Sequence, residues 1–443
     1  MDSQERFSTF FREHGTEDVE AVVPDMAGTA RGKVLPARKF GGGEMKMPEG
    51  IFAQIISGSY VPNKANVEDR DMLLVPDPDT LRPVPWTIDP AASVFLDCMR
   101  PDGGPVNSSP RQVLQNVLQM YRERGWTPVV APEVEFYLLS PHSDANAEVA
   151  PPEGRLGRTE GANQPYSIDM MNDFEPFIND VYGFCEEQGI YIDTLLQEMG
   201  PAQFEINFLH GAPLTLADQV FLFKRTVREA AIKHAMHATF LAKPMTEEAG
   251  SALHIHQSVV DDEGANIFSN EFGEPSEYFY GFLGGLQKYL PEAFLLFAPY
   301  PNSYRRFLSN WAQPVNLEWA VDNRTVGLRV PDSAPEARRI ENRVGGADLN
   351  PYLGLAASLA CGYLGMMEGL TPSDAITGSA YDMPFKLHRD LFSAIKAFET
   401  STAMRSTLSD EFVDLYSAVK HTENDEFQEI VTPWERKILM FNV

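Results

Sequence analysis

The sequence predicts a mixed helix-and-strand protein built as two domains, and three observations predict it. The chain has 443 residues, 43% of them hydrophobic, which is core enough for more than one domain. Separated stretches alternate apolar and polar residues with period two, as half-buried strands do. Between them, apolar residues recur three and four apart, the spacing of helices laid on a core.

Residues 1 to about 104 read as a small α/β unit. A short helix from Phe7 to Arg12 precedes a valine-rich strand from Val19 to Val23. Gly28 and Gly32 punctuate a turn, and Gly41, Gly42 and Gly43 mark a flexible loop. The segment from Met72 to Trp86 carries four prolines, so it is expected as extended chain without helix. A second region, residues 105–443, opens on Ser109 as N-cap, Pro110 at the first helical position and Gln112 three residues after the cap. Val113, Leu114, Val117, Leu118 and Tyr121 supply the apolar stripe of that helix. A second helix follows from Phe174, Phe177, Ile178, Val181 and Cys185, and a third spans roughly Leu216 to His234. Residues 142 to 166, rich in Pro, Gly and charge, read as a mobile surface loop.

Lys and Arg total 36 against 63 Asp and Glu, a net charge of −27. That argues against nucleic acid and anionic membrane as partners. Cys98, Cys185 and Cys361 lie far apart without CxxC spacing and read as buried thiols of a reducing compartment. The N-terminus lacks a signal-peptide pattern, and no apolar run is long enough to cross a bilayer. A cytoplasmic protein is the expectation.

The chemistry lies on the alternating strands. Glu133 and Glu135 share one strand face; Gln203, Glu205 and Asn207 share another, shortly after Glu198. His254 and His256 do the same behind the small-residue run Ala249 to Ala252. Arg339, Glu341 and Arg343 again share parity, close behind Arg324 and Arg329. Any one pair is most often a solvated strand face. Together they set carboxylates and imidazole, a donor set suited to Mg²⁺ or Mn²⁺, beside arginines suited to phosphates or carboxylates. Two or more such ions beside arginines is the equipment of phosphoryl transfer. With no Walker loop and no GxGxxG, the residues by themselves indicate a metal-dependent, ATP-using enzyme.

Taken in order, Glu133 and Glu135, Glu198 and Glu205, Lys243-Pro244 before His254 and His256, Asn302 to Arg306, Asn323-Arg324 to Arg329, Arg339 to Arg343, and Asn350 to Leu353 resemble glutamine synthetase over nearly the whole chain. The wording from His237 to Pro244, with Ala249-Gly250-Ser251, is similar to the γ-glutamylpolyamine synthetase branch. The resemblance implies an α+β fold: an N-terminal β-grasp domain, 1–104, and a catalytic domain, 105–443, of antiparallel strands backed by helices. It implies two or three Mg²⁺ or Mn²⁺ ions per active site, one held by Glu135, Glu198 and Glu205, another by Glu133, His254 and Glu341. His256 and Ser258 would lie near the phosphates of ATP. Arg324 and Arg339 would sit beside the transferring phosphoryl group, Arg329 would bind the nucleotide, and Arg306 and Arg343 would clamp the two carboxylates of glutamate, with Gly250 at its amino end. It also implies a dodecamer of two hexameric rings, with active sites between neighbouring subunits.

The departures point to the acceptor. Ammonia-using members keep a flap glutamate where this chain has Ala312, next to Trp311, and an aspartate where the alignment sets Ala53. Ala249 stands where many members have an asparagine, and Glu336 replaces a basic residue. The expected function is ATP-dependent ligation of glutamate's γ-carboxylate to a polyamine such as putrescine. Ligation to ammonia or methylamine is the alternative, and a non-catalytic ring the alternative of another class.

Overall fold

The protein is described from a computed structural model, covering residues 3–62, 64, 69–141, 144, 148–159, 163–308 and 313–443. Its first sheet comprises β1 (Asp18–Pro24), β2 (Ala30–Pro36), β3 (Met45–Pro48), β4 (Asp71–Pro76), β5 (Arg82–Val84) and β6 (Ala91–Met99). The order is β2-β1-β6-β4-β3, with β5 also on β6. Only β1 and β6 run parallel; the other pairs are antiparallel. Helix α1 (Ser3–His14) extends beyond the expected Phe7 to Arg12 and buries Phe7. This mixed sheet with a central parallel pair is the β-grasp that the resemblance implied.

Two local expectations change. The β1–β2 turn is set by Asp25, whose carboxylate accepts the N–H groups of Ala27 and Thr29 at 2.9 and 2.8 Å. Gly28 lies in that turn, but Gly32 is inside β2, opposite Val22. The proline-rich stretch is extended except at Pro78–Thr80, a 3₁₀ turn capped by Asp77, and at a closing turn over Pro85 and Trp86. Pro at a first helical position costs no hydrogen bond, so one short turn is tolerated.

The second sheet comprises β7 (Trp126–Leu139), β8 (Ile192–Gln197), β9 (Gln203–Phe208), β10 (His237–Thr239), β11 (Leu253–Asp261), β12 (Trp319–Val321), β13 (Leu328–Val330) and β14 (Ile340–Asn342). Its order is β12-β13-β14-β11-β7-β9-β8, with β10 on β7, antiparallel except for β12–β13. Alternation sends Val134, Phe136, Phe204, Ile206 and Ile255 to one face, where all are 0% exposed. Two helices cover that face: α4 (Glu175–Glu187), through Phe177, and α5 (Pro213–Lys233), through Phe223. The other face is left for chemistry.

Helix α2 (Pro110–Arg122) starts at Ser109 as expected and buries all five residues of its stripe. The side-chain cap is absent, however: Ser109 makes no cap hydrogen bond, and Gln112 bonds Asn116 instead. A short α3 (Ile168–Asp173) precedes α4, and the described part of 142–166 contains no helix or strand. Beyond β11 the chain adds α6 (Glu277–Ala293), α7 (Pro351–Glu368), α8 (Leu391–Thr400), α9 (Thr402–Leu408) and α10 (Asp410–Gln428). Helices α6 and α7 cross at glycines: a Cβ on Gly285 would lie 2.2 Å from Cys361 O, and one on Gly365 2.1 Å from Gly281 O. One continuous cluster of buried apolar side chains runs from Phe7 to Tyr416, including Cys98, Cys185 and Cys361, so both sheets share an interior. No described helix is long and apolar enough to cross a membrane.

Candidate active site

Strand register, which alternation alone does not specify, assembles the site. Antiparallel pairing places Glu135 opposite Glu205 and Glu133 opposite Asn207. On the other flank of β7, His254 stands opposite Glu133, and His256 in turn stands opposite Glu341. Directly paired residues point to the same side of a sheet. Residues distant in sequence therefore converge on one face, and Glu198 joins them from the turn after β8.

Among the described residues, three sets of ligand atoms lie within 4.8 Å of one another: Glu135, Glu198 and Glu205; Glu133, Glu205 and His254; and Glu133, His256 and Glu341. The first set is the one the resemblance assigned. Around Glu133 both histidines are in play, since His254 Nδ1 is 3.3 Å from Glu133 and 3.9 Å from Glu341, while His256 Nε2 is 3.0 Å from Glu133. Arg339 Nε lies 3.3 Å from His256 Nδ1. A guanidinium can only donate, so Nδ1 accepts and Nε2–H points at Glu133.

Electrostatics divide the carboxylates in two. Burial would push Glu133 up, but hydrogen bonds from His254 and His256 hold its carboxyl far below the usual range. Glu341 is also buried, yet Arg343 holds it at about 2; its oxygens accept from Arg343 at 2.5 Å and Arg329 at 2.7 Å. Among the described residues, the other group has no directly bonded cation, only arginines at longer range. Burial, with the charge of Glu198, pushes Glu135 up to about 8. Burial and the charges of Glu133, Glu135 and Glu198 push Glu205 up to about 10, and burial raises Glu198 as well. Burial and Arg343 lower His254 to about 4, leaving it neutral and able to ligate. Crowded carboxylates short of counter-charge beside a neutral imidazole are a donor set that fits divalent cations.

The site opens into a cavity of about 870 Å³. Glu133, Glu135, Glu198, Glu205, His254, His256, Ser258, Gly250, Arg324, Arg329, Arg339, Glu341 and Arg343 all line it, as do Ala249 and Glu336. Arg306 is not brought in. It is fully buried, and donates to the carbonyls of Val344 and Arg343 at 2.7 and 3.1 Å. Gly250 makes room for it, since a Cβ there would lie 2.8 Å from both Arg306 Cγ and Ala242 O. Ala53 is buried in a 3₁₀ turn, Glu49–Ala53, and does not line the cavity. Trp311 and Ala312 lie outside the described residues.

One residue noted only for its parity has a clear task. Gln203 Nε2 donates to Glu135 at 3.2 Å and to Gly250 O at 3.0 Å, and Ala252 N–H donates to the same Glu135 oxygen at 2.8 Å. It ties the carboxylate strand to the glycine loop. The shared parity of Gln203 and Glu205 was the available signal; the bond to β7 was not legible.

Carboxylates that lack counter-charge, set beside arginines in one large cavity, define a cation-dependent enzyme for anionic substrates. The chain belongs to the glutamine synthetase family: residues 107–439 match the family described as glutamine synthetase, catalytic domain. It is 34% identical to the γ-glutamylputrescine synthetase PuuA of Escherichia coli K12, over 96% of this chain and 92% of that one. It is 36% identical to a glutamate–isopropylamine ligase of a Pseudomonas species, over 96% and 95%. Among solved structures it is similar to apo GmaS without ligand, with a TM-score of 0.84, 25% identity and coverage of 98% and 99%.

Proposed function

We propose that this protein is an ATP-dependent glutamate–amine ligase whose acceptor is a polyamine such as putrescine. The observation that carries the reading is the register pairing Glu135 with Glu205 and Glu133 with His254, which brings carboxylates and imidazole together at a cavity lined by arginines. Similar curated proteins act, by name, on putrescine, isopropylamine and ethanolamine, each larger than ammonia.

Glu135, Glu198 and Glu205 would hold one Mg²⁺ or Mn²⁺, and Glu133 and Glu341 with His254 or His256 would hold another, two or three ions in all. Bound there, they would supply positive charge to neutralise the phosphates of ATP. The γ-carboxylate of glutamate attacks the γ-phosphorus, the bond to the β-bridging oxygen breaks, and ADP leaves. Arg324 and Arg339 neutralise charge on the transferring group, next to His256, Ser258 and Arg329. Arg343 orients the γ-carboxylate, Gly250 lets the backbone approach the amino end, and Arg306 braces Arg343 from behind. The neutral amine attacks the acyl carbon of γ-glutamyl phosphate, and phosphate departs as the amide forms. An amine of pKa ~10 must first shed a proton, which burial beside apolar surface favours.

The division into 1–104 and 105–443 belongs to the same proposal: the first sheet ends at Met99 and α2 begins at Pro110. So do a cytoplasmic location and the ring of subunits, in which Ala53 would face a neighbour's cavity; Trp311 and Ala312 belong to the reading as amine-pocket positions of the sequence.

ADP release measured across ammonia, methylamine, ethanolamine, putrescine and spermidine tests the reading. The larger amines win if no carboxylate stands at 53 or 312 to hold ammonium. Each buried methylene then adds ~0.8 kcal/mol. Ala312→Glu should shift the preference toward ammonium. Ammonium preferred over every alkyl amine at equal concentration would make this a glutamine synthetase and overturn the proposal.

A further inference from the structure

Helix α5 carries a lysine that the ligation chemistry leaves idle. Lys224 is buried and does not line the cavity. Its Nζ donates to Ala347 O at 2.6 Å and to Leu349 O at 2.9 Å, and lies 5.5 Å over the Phe240 ring. Burying an ammonium is costly, and an apolar side chain of similar length would fill the same space. The acceptors explain its presence. Both belong to residues 343–349, the segment that joins β14 to α7 and begins with Arg343.

Two cations clip that segment, one at each end. Arg306 donates to the carbonyls of Arg343 and Val344 and holds the start; Lys224 holds the finish. Between them, Gly346 N–H and Ala347 N–H bond Phe297 O and Ser251 O, both at 3.0 Å. Space is tight as well: a Cβ on Gly345 would lie 2.7 Å from Leu253 O. Asp348 accepts from Ser303 Oγ at 2.6 Å, and its charge faces Lys224. Burial pushes the Lys224 ammonium down to about 7, yet an uncharged amine keeps two N–H donors, one per carbonyl, so the tie survives loss of the proton.

We infer that Lys224 is a positioning residue for glutamate: by holding Ala347 and Leu349 it fixes the backbone from which Arg343 reaches into the cavity. The inference rests on the reading of Arg343 as the partner of glutamate's γ-carboxylate. Full-length Lys224→Met and Lys224→Gln, with Arg343→Lys as reference, test it by steady-state kinetics and amide hydrogen exchange. Lys224→Met is expected to raise the KM for glutamate about ten-fold while leaving the KM for ATP within about two-fold, and to speed exchange at 343–349. Lys224→Gln, which keeps an N–H donor, shifts both in the same direction by less. Combined with Arg343→Lys, the Met variant adds less than its separate effect, because both act through one guanidinium.

A loss of melting temperature or kcat with the glutamate KM unchanged would mean a purely structural lysine and overturn the inference. So would effects that simply multiply in the double variant. Should Lys224→Met fail to fold, an unchanged glutamate KM in Lys224→Gln overturns it equally. Failure of the ligase reading shows differently, as wild-type protein without glutamate-dependent ADP release. Exchange at 343–349 still decides whether Lys224 holds the segment.

Discussion

Glu205 shows how one side chain can be unfavourable alone and necessary in company. Its carboxyl, pushed up to about 10 by burial and by Glu133, Glu135 and Glu198, gains nothing from its charge until a cation arrives. Glu205→Gln is therefore expected to leave the fold intact while lowering turnover by more than about a hundred-fold, beyond the effect of losing a supporting partner. ADP release with saturating Mg²⁺, read beside circular dichroism, checks both halves; normal turnover would place the ion elsewhere. On the proposed reading, Arg343 works by direction as much as by charge. Its Nη1 is bound to Glu341 at 2.5 Å while its buried Nε has no partner among the described residues. Arg343→Lys replaces a planar fork with a point charge, so the KM for glutamate should rise and kcat fall, each by about ten-fold or more. If both constants stay put, this arginine has another task.

At the scale of elements, the crossing of α6 and α7 is as tightly specified as the site. Gly281, Gly285 and Gly365 let the two backbones approach until a single methyl group would overlap a carbonyl. Gly285→Ala should destabilise the protein by about 1–3 kcal/mol, the range of an overpacked core, despite alanine's better helix propensity. A chemical-denaturation midpoint equal to wild type would show that the helices can part at little cost. Strands β7, β9, β11 and β14 obey a different rule: each carries one or two of the candidate ligands, and register decides whether they meet. A slip of one residue between β7 and β9 would turn Glu205 away from Glu135 and toward the apolar face. The core pair Phe136–Phe204, with ring centroids 5.8 Å apart, guards against it.

For the molecule as a whole, the carboxylate cluster links cation binding to protons. Glu135 and Glu205 have folded-state values raised to about 8 and about 10, so at pH 7 the cation-free protein binds protons there that the unfolded chain would release. The contribution of these two raised carboxyls to stability without cations falls as pH climbs from the ordinary carboxylate range through about 8 for Glu135 and about 10 for Glu205. A divalent ion bound at the proposed site would displace those protons. Adding Mg²⁺ at pH 7 should release protons into a weakly buffered solution, and the gain in melting temperature on adding Mg²⁺ should grow between pH 6 and pH 8. The difference between the two forms cancels distant groups such as Lys224. A gain that shrinks with rising pH would contradict the assignment.

Much of this was legible in the sequence, for a physical reason. A strand alternates with period two whatever surrounds it, so the pairing of Glu133 with Glu135, and of His254 with His256, on one face follows from local order alone. The same holds for the stripe of α2, since five residues at helical spacing have only one face to bury. The order of carboxylates, histidines and arginines along the chain also carried the family. Tertiary structure decided what depends on residues far apart in sequence. Which strand lies beside β7, and in what register, determines that Glu135 meets Glu205. Whether an arginine lines a cavity or braces a loop depends on which carbonyls surround it, and so Arg343 enters while Arg306 stays behind. A lysine in the middle of α5 has no sequence neighbour to explain it; only the return of residues 343–349 gives its charge something to hold. Local periodicity sets the face a side chain takes, and long-range packing sets the company it keeps.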